Sequence, residues 1–122
     1  MNSRPFAVKM SLLMNFAAYQ KLSRKTAQYP KIGRSFIYPV LGLVGEAGEV
    51  AEKVKKVMRN KKGKIDKEFL KMIELELGDV LWYLSNLATE FGLSLEKIAR
   101  KNLDKLLDRK KRNKIHSEGD LR

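Results

Sequence analysis

Hydrophobic residues recur along much of this chain three and four positions apart, the spacing that places them on one face of an α-helix. Four stretches show the pattern and predict helices over residues of about 15–28, 39–59, 66–91 and 94–110. Hydrophobic and polar residues do not alternate over the length of a strand. The pattern therefore predicts an all-α fold, a four-helix bundle without a sheet.

Local signals predict where these helices begin and end. The residue before Pro30 is disfavoured in a helix, so the first helix ends before that proline. Pro39 suits the first helical position of the second helix. Asp66 and Ser94 are expected to cap the N-termini of the third and fourth helices, and Gly92 is expected to end the third.

The length of 122 residues suits one domain, and no repeat or linker divides it. We expect a disordered leader over residues 1–14, one domain over 15–110 and a basic flexible tail over 111–122. The apolar stripe of the third helix runs from Phe69 to Phe91, more than a small domain readily covers. The bundle is therefore expected to be completed by dimerisation, so that the protein is at least a dimer.

Composition narrows the classes of protein and partner. The absence of cysteine excludes disulfides, thiolate metal sites and a cysteine nucleophile, and it fits a cytoplasmic protein. No apolar run approaches the roughly 20 residues of a membrane span, so no membrane-spanning segment is expected. The 26 Lys and Arg residues exceed the 14 Asp and Glu residues, which gives a net charge of +12. This charge suggests a polyanionic partner, which could be a nucleotide, a nucleic acid or an anionic membrane. Of these three, the membrane is not an expected partner.

Four carboxylates stand in unusual positions. Glu46 and Glu49 lie three residues apart on the second predicted helix, and Glu76 and Asp79 lie three apart on an otherwise apolar face of the third. Gathered together they would repel one another, and a hard divalent cation such as Mg²⁺ or Mn²⁺ would relieve that repulsion. The alternative is that they are ordinary surface acids paired with nearby lysines, such as Lys53 four residues after Glu49.

Glycines accompany the first acidic pair. Gly42, Gly45 and Gly48 form a stripe on the second helix, although each glycine inside a helix costs roughly 0.5–1 kcal/mol relative to alanine. Such a stripe indicates a close approach, either by a neighbouring helix or by a ligand.

The fourth predicted helix supplies positive charge. Asn102, Lys105 and Arg109 share one of its faces, beside the inward positions expected for Leu95, Ala99, Leu103 and Leu106. A basic ridge facing a metal cluster suits a phosphate chain that bridges both. The alternative is a solvated basic helix.

The two acidic pairs and their flanks resemble the MazG-like family of all-α nucleoside triphosphate pyrophosphohydrolases. The family pattern E-x-x-E, then a spacer, then E-x-x-D stands here as Glu46-Ala-Gly-Glu49 and Glu76-Leu-Gly-Asp79. The flanks GLVGEAGEVAEKVKK and ELGDVLWYLSNLA also match, and the resemblance extends over about residues 16–122.

The resemblance implies Mg²⁺-dependent hydrolysis of a (deoxy)nucleoside triphosphate to the monophosphate and pyrophosphate, as house-cleaning of the nucleotide pool. It implies that all four acids bind Mg²⁺, with Mn²⁺ as a substitute, and that Lys105, Arg109 and, more weakly, Asn102 contact phosphate. Glu46 or Glu49 is expected to orient or deprotonate the attacking water. The candidate base contacts are Tyr19, Gln20 and Tyr83. Trp82, Tyr83 and Phe91 are candidates for a subunit interface, a base pocket or, for Phe91 above all, the core.

Two other functions fit parts of the same pattern. Phosphoribosyl-ATP pyrophosphatase is a relative with similar acids that cleaves the same bond. A basic helical nucleic-acid-binding module without catalysis rests on the net charge alone, since no helix-turn-helix or stacking motif accompanies it. A nucleic acid is therefore not the expected partner.

Overall fold

The computed structural model describes residues 14–112, and these form four α-helices and no strand. The helices are α1 (Phe16–Arg24), α2 (Ile37–Lys61), α3 (Lys67–Glu90) and α4 (Leu95–Lys111). The predicted all-α class and its helix order are confirmed. The expected leader (1–14) and tail (111–122) lie outside the described residues, apart from residues 14, 111 and 112. Within that range no helix has the length and apolar character needed to cross a membrane.

Helix α1 is shorter than its pattern predicted. It begins after Asn15, whose side-chain oxygen accepts a hydrogen bond from the Ala18 N–H at 2.8 Å. It ends at Arg24 rather than near residue 28. The hydroxyl and the N–H of Thr26 both donate to the Ser23 carbonyl, at 2.7 and 3.0 Å. This local turn competes with a further helical turn, and the hydrophobic spacing gave no sign of it.

Helix α2 begins at Ile37, two residues before the predicted start. Pro39 lies within the first turn, where a backbone N–H has no helical partner to lose, and its side chain is fully buried. The helix ends at Lys61 because Lys62 and Gly63 adopt left-handed backbone conformations, with φ of 52° and 80°.

The predicted caps of α3 and α4 are present. The Asp66 side chain accepts from the Phe69 N–H at 2.8 Å, and the Ser94 hydroxyl accepts from the Lys97 N–H at 3.2 Å. Gly92 follows the end of α3 with φ of 69°, the left-handed conformation that favours glycine. A tight connection therefore joins α3 to α4.

The longest packed seam lies between α2 and α3, which run antiparallel. Lys61 and Asp66 form an ion pair of 3.3 Å beside the connecting turn, and Gly42 meets Tyr83 near the other end. A Cβ at residue 42 would lie 2.2 Å from Cε1 of Tyr83. Gly42 is therefore needed for the tyrosine ring to lie against the backbone of α2. Helix α1 packs on α3 and α4, and α4 also contacts α3.

The single chain leaves much of its apolar surface exposed. The buried hydrophobic residues in the described range are Val57, Phe69, Ala88 and Leu95. Several residues of the predicted apolar stripes are instead exposed, among them Val54, Met58, Leu77, Phe91 and Leu103. The stripes are helical, as predicted, but they are wider than the contact that one chain provides.

Gln20 joins α1 to the connection between α3 and α4. Its side-chain nitrogen donates to the Thr89 hydroxyl at 3.0 Å and to the Leu93 carbonyl at 2.8 Å. Its side-chain oxygen accepts from the N–H of Leu95, the first residue of α4, at 2.8 Å. One amide group thus binds three elements together.

A second polar network joins α1 to α3. Arg24 donates to Glu90 at 2.7 Å, to Tyr29 at 2.8 Å and to buried Asn86 at 3.3 Å. Tyr29 donates a short hydrogen bond to the same Glu90 carboxylate. Hydrogen bonds from Tyr29, and then from Arg24 and Ser35, hold the pKa of Glu90 below its ordinary value despite its burial.

We expect Glu90→Gln to lower the free energy of unfolding near pH 7 by about 1.5–3 kcal/mol, because Arg24 and Tyr29 both lose a charged acceptor. Since the pKa of Glu90 is lowered in the folded state, its stabilisation is present above the ordinary value of 4.5 and is lost as pH falls through the folded value. Urea denaturation near pH 7 and at about pH 3.5 measures both effects.

Glu74→Gln is the matched control, since Glu74 is exposed on the same helix. It should change stability by about 0.5 kcal/mol or less at either pH. Equal stability of wild type and Glu90→Gln near pH 7 would contradict the role given to this network.

Candidate metal and substrate site

Three of the four predicted metal ligands meet on the seam between α2 and α3. Glu46 on α2 and Glu76 and Asp79 on α3 each bring a carboxylate oxygen within 4.8 Å of the others. The spacing of three residues puts Glu76 and Asp79 on one side of α3, and antiparallel packing sets Glu46 opposite them. We call these three residues the acidic cluster.

Glu49 lies outside this cluster and is exposed. Its negative charge nevertheless contributes to the raised pKa of Glu46, which places it at the edge of the same site. The structure therefore brings three of the predicted ligands together and leaves Glu49 beside them.

Burial and like charge act together on Glu46. Its pKa is raised above the ordinary value first by desolvation and then by the charges of Asp79, Glu76 and Glu49. A proton or a cation relieves this strain. The oxygen-only donor set fits a hard divalent ion, so the residues present suit the metal that the sequence predicted.

Lys53 supplies a positive charge at one end of the cluster. Its ammonium nitrogen lies 3.8 Å from a carboxylate oxygen of Glu76, and both side chains are partly buried. The alternative interpretation had paired Lys53 with Glu49, four residues before it. The observed partner is on the opposite helix, and one lysine does not neutralise three carboxylates.

Two tyrosines stand at the other end of the cluster. Burial raises the pKa of Tyr83, followed by the charges of Tyr38, Glu46 and Asp79. Burial also raises the pKa of Tyr19, and the charge of Asp79 adds to it. The structure therefore brings two of the three candidate base contacts close to the acids.

Gln20, the third candidate base contact, has a different environment. Its amide binds Thr89, Leu93 and Leu95 within the chain, which gives it a structural role. We leave Gln20 out of the proposed base contacts for this reason.

A groove of about 500 Å³ opens between α1 and α4, and Tyr19 lies in its wall. Its other lining residues are Met14, Asn15, Phe16, Leu81, Glu96, Ala99, Arg100 and Leu103. Most of these are apolar, and the volume falls in the usual range for small-molecule sites. We call this space the apolar groove. Tyr19 links it to the Asp79 end of the acidic cluster.

The three residues of the predicted basic ridge on α4 differ in their exposure to solvent. Asn102 is exposed and Lys105 is half-buried, but Arg109 is only 2% exposed. In the described range α4 contacts α1 and α3 and does not contact α2, which carries Glu46 and Glu49. The burial of Arg109 does not fit the alternative of a solvated basic helix at that position. The phosphate contacts of all three residues remain a prediction.

Sequence reasoning missed several aromatic contacts around the site. The Tyr38 ring stacks on Tyr29 at 5.6 Å, and the Trp82 ring meets the edges of Tyr29 and Tyr83. Trp82 also donates to the Thr26 hydroxyl at 2.8 Å. Tyr38 precedes the predicted start of the second helix, and Thr26 lies in the last predicted turn of the first, which the structure does not form as helix. Hydrophobic spacing therefore gave no signal for either contact.

Phe91, a candidate for the interface, the base pocket or the core, stacks on Phe36 within the chain at 5.0 Å. About half of its surface remains exposed. The contact with Phe36 closes the end of α3 against the segment before α2.

The family model of the MazG nucleotide pyrophosphohydrolase domain matches residues 38–113, more than half of the chain. The chain therefore belongs to this family, as its motifs indicated. Gene 37 protein of Mycobacterium phage L5 is 42% identical over 114 residues, covering 89% of this chain and 100% of the phage protein. No solved structure matches the chain. Members of the family typically depend on a divalent metal, and the acidic cluster accords with that.

We expect Glu46→Gln to raise the melting temperature of the metal-free protein near pH 7 by roughly 2–5 °C, because one of three repelling carboxylates is removed. Since the folded pKa of Glu46 is raised, its protonated form favours folding at lower pH. That contribution is lost as pH rises through the folded value. The gain from the substitution should therefore shrink on acidification.

Thermal unfolding in EDTA between about pH 5 and pH 8 measures this difference. Added Mg²⁺ should stabilise wild type and stabilise Glu46→Gln much less. A metal-free variant that melts below wild type near pH 7 would show that the acids do not repel one another as the structure indicates.

Proposed function

We propose that this protein hydrolyses a (deoxy)nucleoside triphosphate to the nucleoside monophosphate and pyrophosphate, in house-cleaning of the nucleotide pool. The observation that carries the proposal is the acidic cluster on the α2–α3 seam, with the apolar groove at one end. Membership of the MazG nucleotide pyrophosphohydrolase domain family supports the same reaction class. The catalytic domain proposed here spans residues 15–110, and a cytoplasmic location remains a prediction.

The acids suit Mg²⁺, with Mn²⁺ as a substitute. Glu46, Glu76 and Asp79 would hold the ion, and Glu49 would join them from the edge of the cluster. When bound, the ion supplies charge neutralisation on the phosphate oxygens and lowers the pKa of water. In the hydrolysis of a phosphoanhydride, the main contributions of the protein are positioning of the reactants and electrostatic stabilisation.

The chain's own residues position the reactants. Glu46 and Glu49 are the two candidates for orienting the attacking water and accepting its proton. They lie one helical turn apart, and their charges interact. The pH dependence of turnover in Glu46→Gln and Glu49→Gln separates them, because only loss of the proton acceptor removes the acidic limb of the profile.

The apolar groove is the proposed nucleoside site. Tyr19 lies in its wall, and Tyr83 faces Asp79 and Glu46 from α3. The ring of Tyr19 offers a flat surface for stacking, which tolerates different bases. Tyr83 does not line the groove and packs against Gly42, so we propose it as a base contact only from beside the acids. Asn102, Lys105 and Arg109 are proposed to contact the substrate phosphates from α4.

We also propose that the protein works as a homodimer or homotetramer. On the side of α2 opposite α3, Leu41 and Val44 are 65% and 68% exposed. A Cβ added at Gly45 or Gly48 would meet nothing within 4 Å in the single chain. A smooth apolar face of this kind suits the close approach of a helix from a second copy.

For the activity, we expect Mg²⁺-dependent release of pyrophosphate from at least one nucleoside triphosphate, abolished by EDTA and restored by Mg²⁺ or Mn²⁺. Asp79→Asn and Glu49→Gln should each lower kcat/KM by about a hundredfold or more, because each removes a charge that holds the ion. A panel of nucleotides that includes phosphoribosyl-ATP identifies the substrate. Glu74→Gln, on the exposed side of α3, should leave turnover unchanged.

Two results would refute the proposed activity. One is full turnover in metal-free buffer. The other is the absence of pyrophosphate release from every nucleotide in the panel by a folded wild-type protein.

For the assembly, we expect a solution mass of at least twice 14.0 kDa at micromolar concentration. Gly45→Leu and Gly48→Leu should lower that mass, because a large side chain obstructs the approach of a second helix. Light scattering measures the mass, and Lys55→Leu on the same helix is the control. A wild-type mass of one chain would contradict this proposal.

A further inference from the structure

A second cleft lies on the α2–α3 seam, between the C-terminal half of α2 and the N-terminal half of α3. Its volume is about 280 Å³. Its lining residues are Lys53, Lys56, Val57, Asn60, Lys61, Glu68, Phe69 and Met72. We call it the basic cleft. Neither the proposed nucleoside site nor the predicted phosphate contacts on α4 use it.

The basic cleft begins where the acidic cluster ends. Lys53 lines the cleft, and its ammonium nitrogen lies 3.8 Å from the carboxylate of Glu76. Met72 also lines it and precedes Glu76 by one helical turn on the same side of α3. The acids and the cleft are therefore consecutive parts of one seam.

The charge and the floor of the cleft suit an anion. Three lysines face one acid, Glu68, while Val57 and Phe69 are buried beneath them. Buried apolar groups exclude water and strengthen contacts between a phosphate and an ammonium group. The cleft thus combines positive charge with a partly dry base.

The carboxylates that pair with these lysines in the structure would compete only weakly with a phosphate for them. Lys56 lies 4.0 Å from Glu52, and Lys61 lies 3.3 Å from Asp66, each pair being substantially exposed to solvent. Exposed ion pairs of this kind contribute little free energy. A multiply charged phosphate would displace them more readily than it would displace a buried pair.

We propose that the basic cleft binds the pyrophosphate part of the substrate, and pyrophosphate itself after cleavage, which rests on the proposed function. The nucleoside then lies toward Tyr19 and Asp79, and the reacting bond lies at the acidic cluster. The phosphate contacts proposed for α4 then fall on the phosphate that stays with the nucleoside. The leaving pyrophosphate extends past Glu76 and Lys53 toward Lys56 and Lys61. The seam is thereby divided into a nucleoside end and a pyrophosphate end.

Calorimetric titration of the full chain with inorganic pyrophosphate in the presence of Mg²⁺ tests this assignment. We expect the double substitution Lys56→Gln/Lys61→Gln to weaken pyrophosphate binding by about tenfold or more, because two charge-assisted contacts are lost. Binding of the nucleoside monophosphate should be unchanged. In turnover assays, product inhibition by pyrophosphate should weaken by a similar factor.

The matched control is Lys55→Gln/Lys71→Gln, which removes the same charge from exposed positions on α2 and α3 that do not line the cleft. It should bind pyrophosphate as wild type does. Equal weakening in both double variants would overturn the proposal, because the effect would then come from net charge alone. Wild-type pyrophosphate affinity in Lys56→Gln/Lys61→Gln would overturn it as well.

The single substitutions Lys56→Gln and Lys61→Gln keep the test decisive if the double variant does not fold, since each should show part of the loss. Failure of the proposed function gives a different result. Wild type would then release no pyrophosphate from nucleotides, whereas the titration with inorganic pyrophosphate still reports whether the cleft binds it.

Discussion

Mutual repulsion among Glu46, Glu76 and Asp79 opposes the packing of α2 against α3, and the rest of the chain must hold that seam together against it. The pKa of Glu46 is raised first by burial and then by the charges of Asp79 and Glu76, so the repulsion accounts for part of that shift. The seam is closed on the tyrosine side by Gly42, which lets the ring of Tyr83 reach the backbone of α2. At the end nearest the connection between α2 and α3, the buried side chains of Val57 and Phe69 close the seam. The acids thus occupy the middle of a seam that is fastened on both sides.

Helices α1 and α4 both pack against α3 and help to fix its position. Gln20 joins α1 to the connection between α3 and α4, and Arg24 joins α1 to Glu90 near the end of α3. These polar contacts need specific geometry, so they fix how α3 is rotated about its own axis. That rotation decides whether Glu76 and Asp79 face Glu46. The polar networks therefore support the site although they lie away from the acids.

Much of this arrangement could be predicted from sequence because it depends on spacing within single helices. Local patterns include the caps at Asp66 and Ser94 and the two acidic pairs. Each depends only on residues within a few positions in the sequence, so it does not change with the way the helices pack. The end of α1, the burial of Arg109 and the partner of Lys53 depend on contacts between helices, which spacing does not encode. The glycine stripe shows both cases. Gly42 is explained by Tyr83 within the chain, whereas a Cβ at Gly45 or Gly48 would meet nothing within 4 Å, so no contact within the described residues explains these two glycines.

The order of charges along the seam gives the site a direction. From the turn toward the far end, the seam presents lysines, then the acidic cluster, then tyrosines beside the apolar groove. A nucleoside triphosphate has a matching order. Its terminal two phosphates are highly charged, the phosphoanhydride bond that joins them to the first phosphate needs a cation, and its nucleoside is largely uncharged. Reversing the substrate would place the base against ammonium groups and the terminal phosphates against tyrosines and carboxylates. Under the proposed function, this electrostatic order would itself select which phosphoanhydride bond meets the acids.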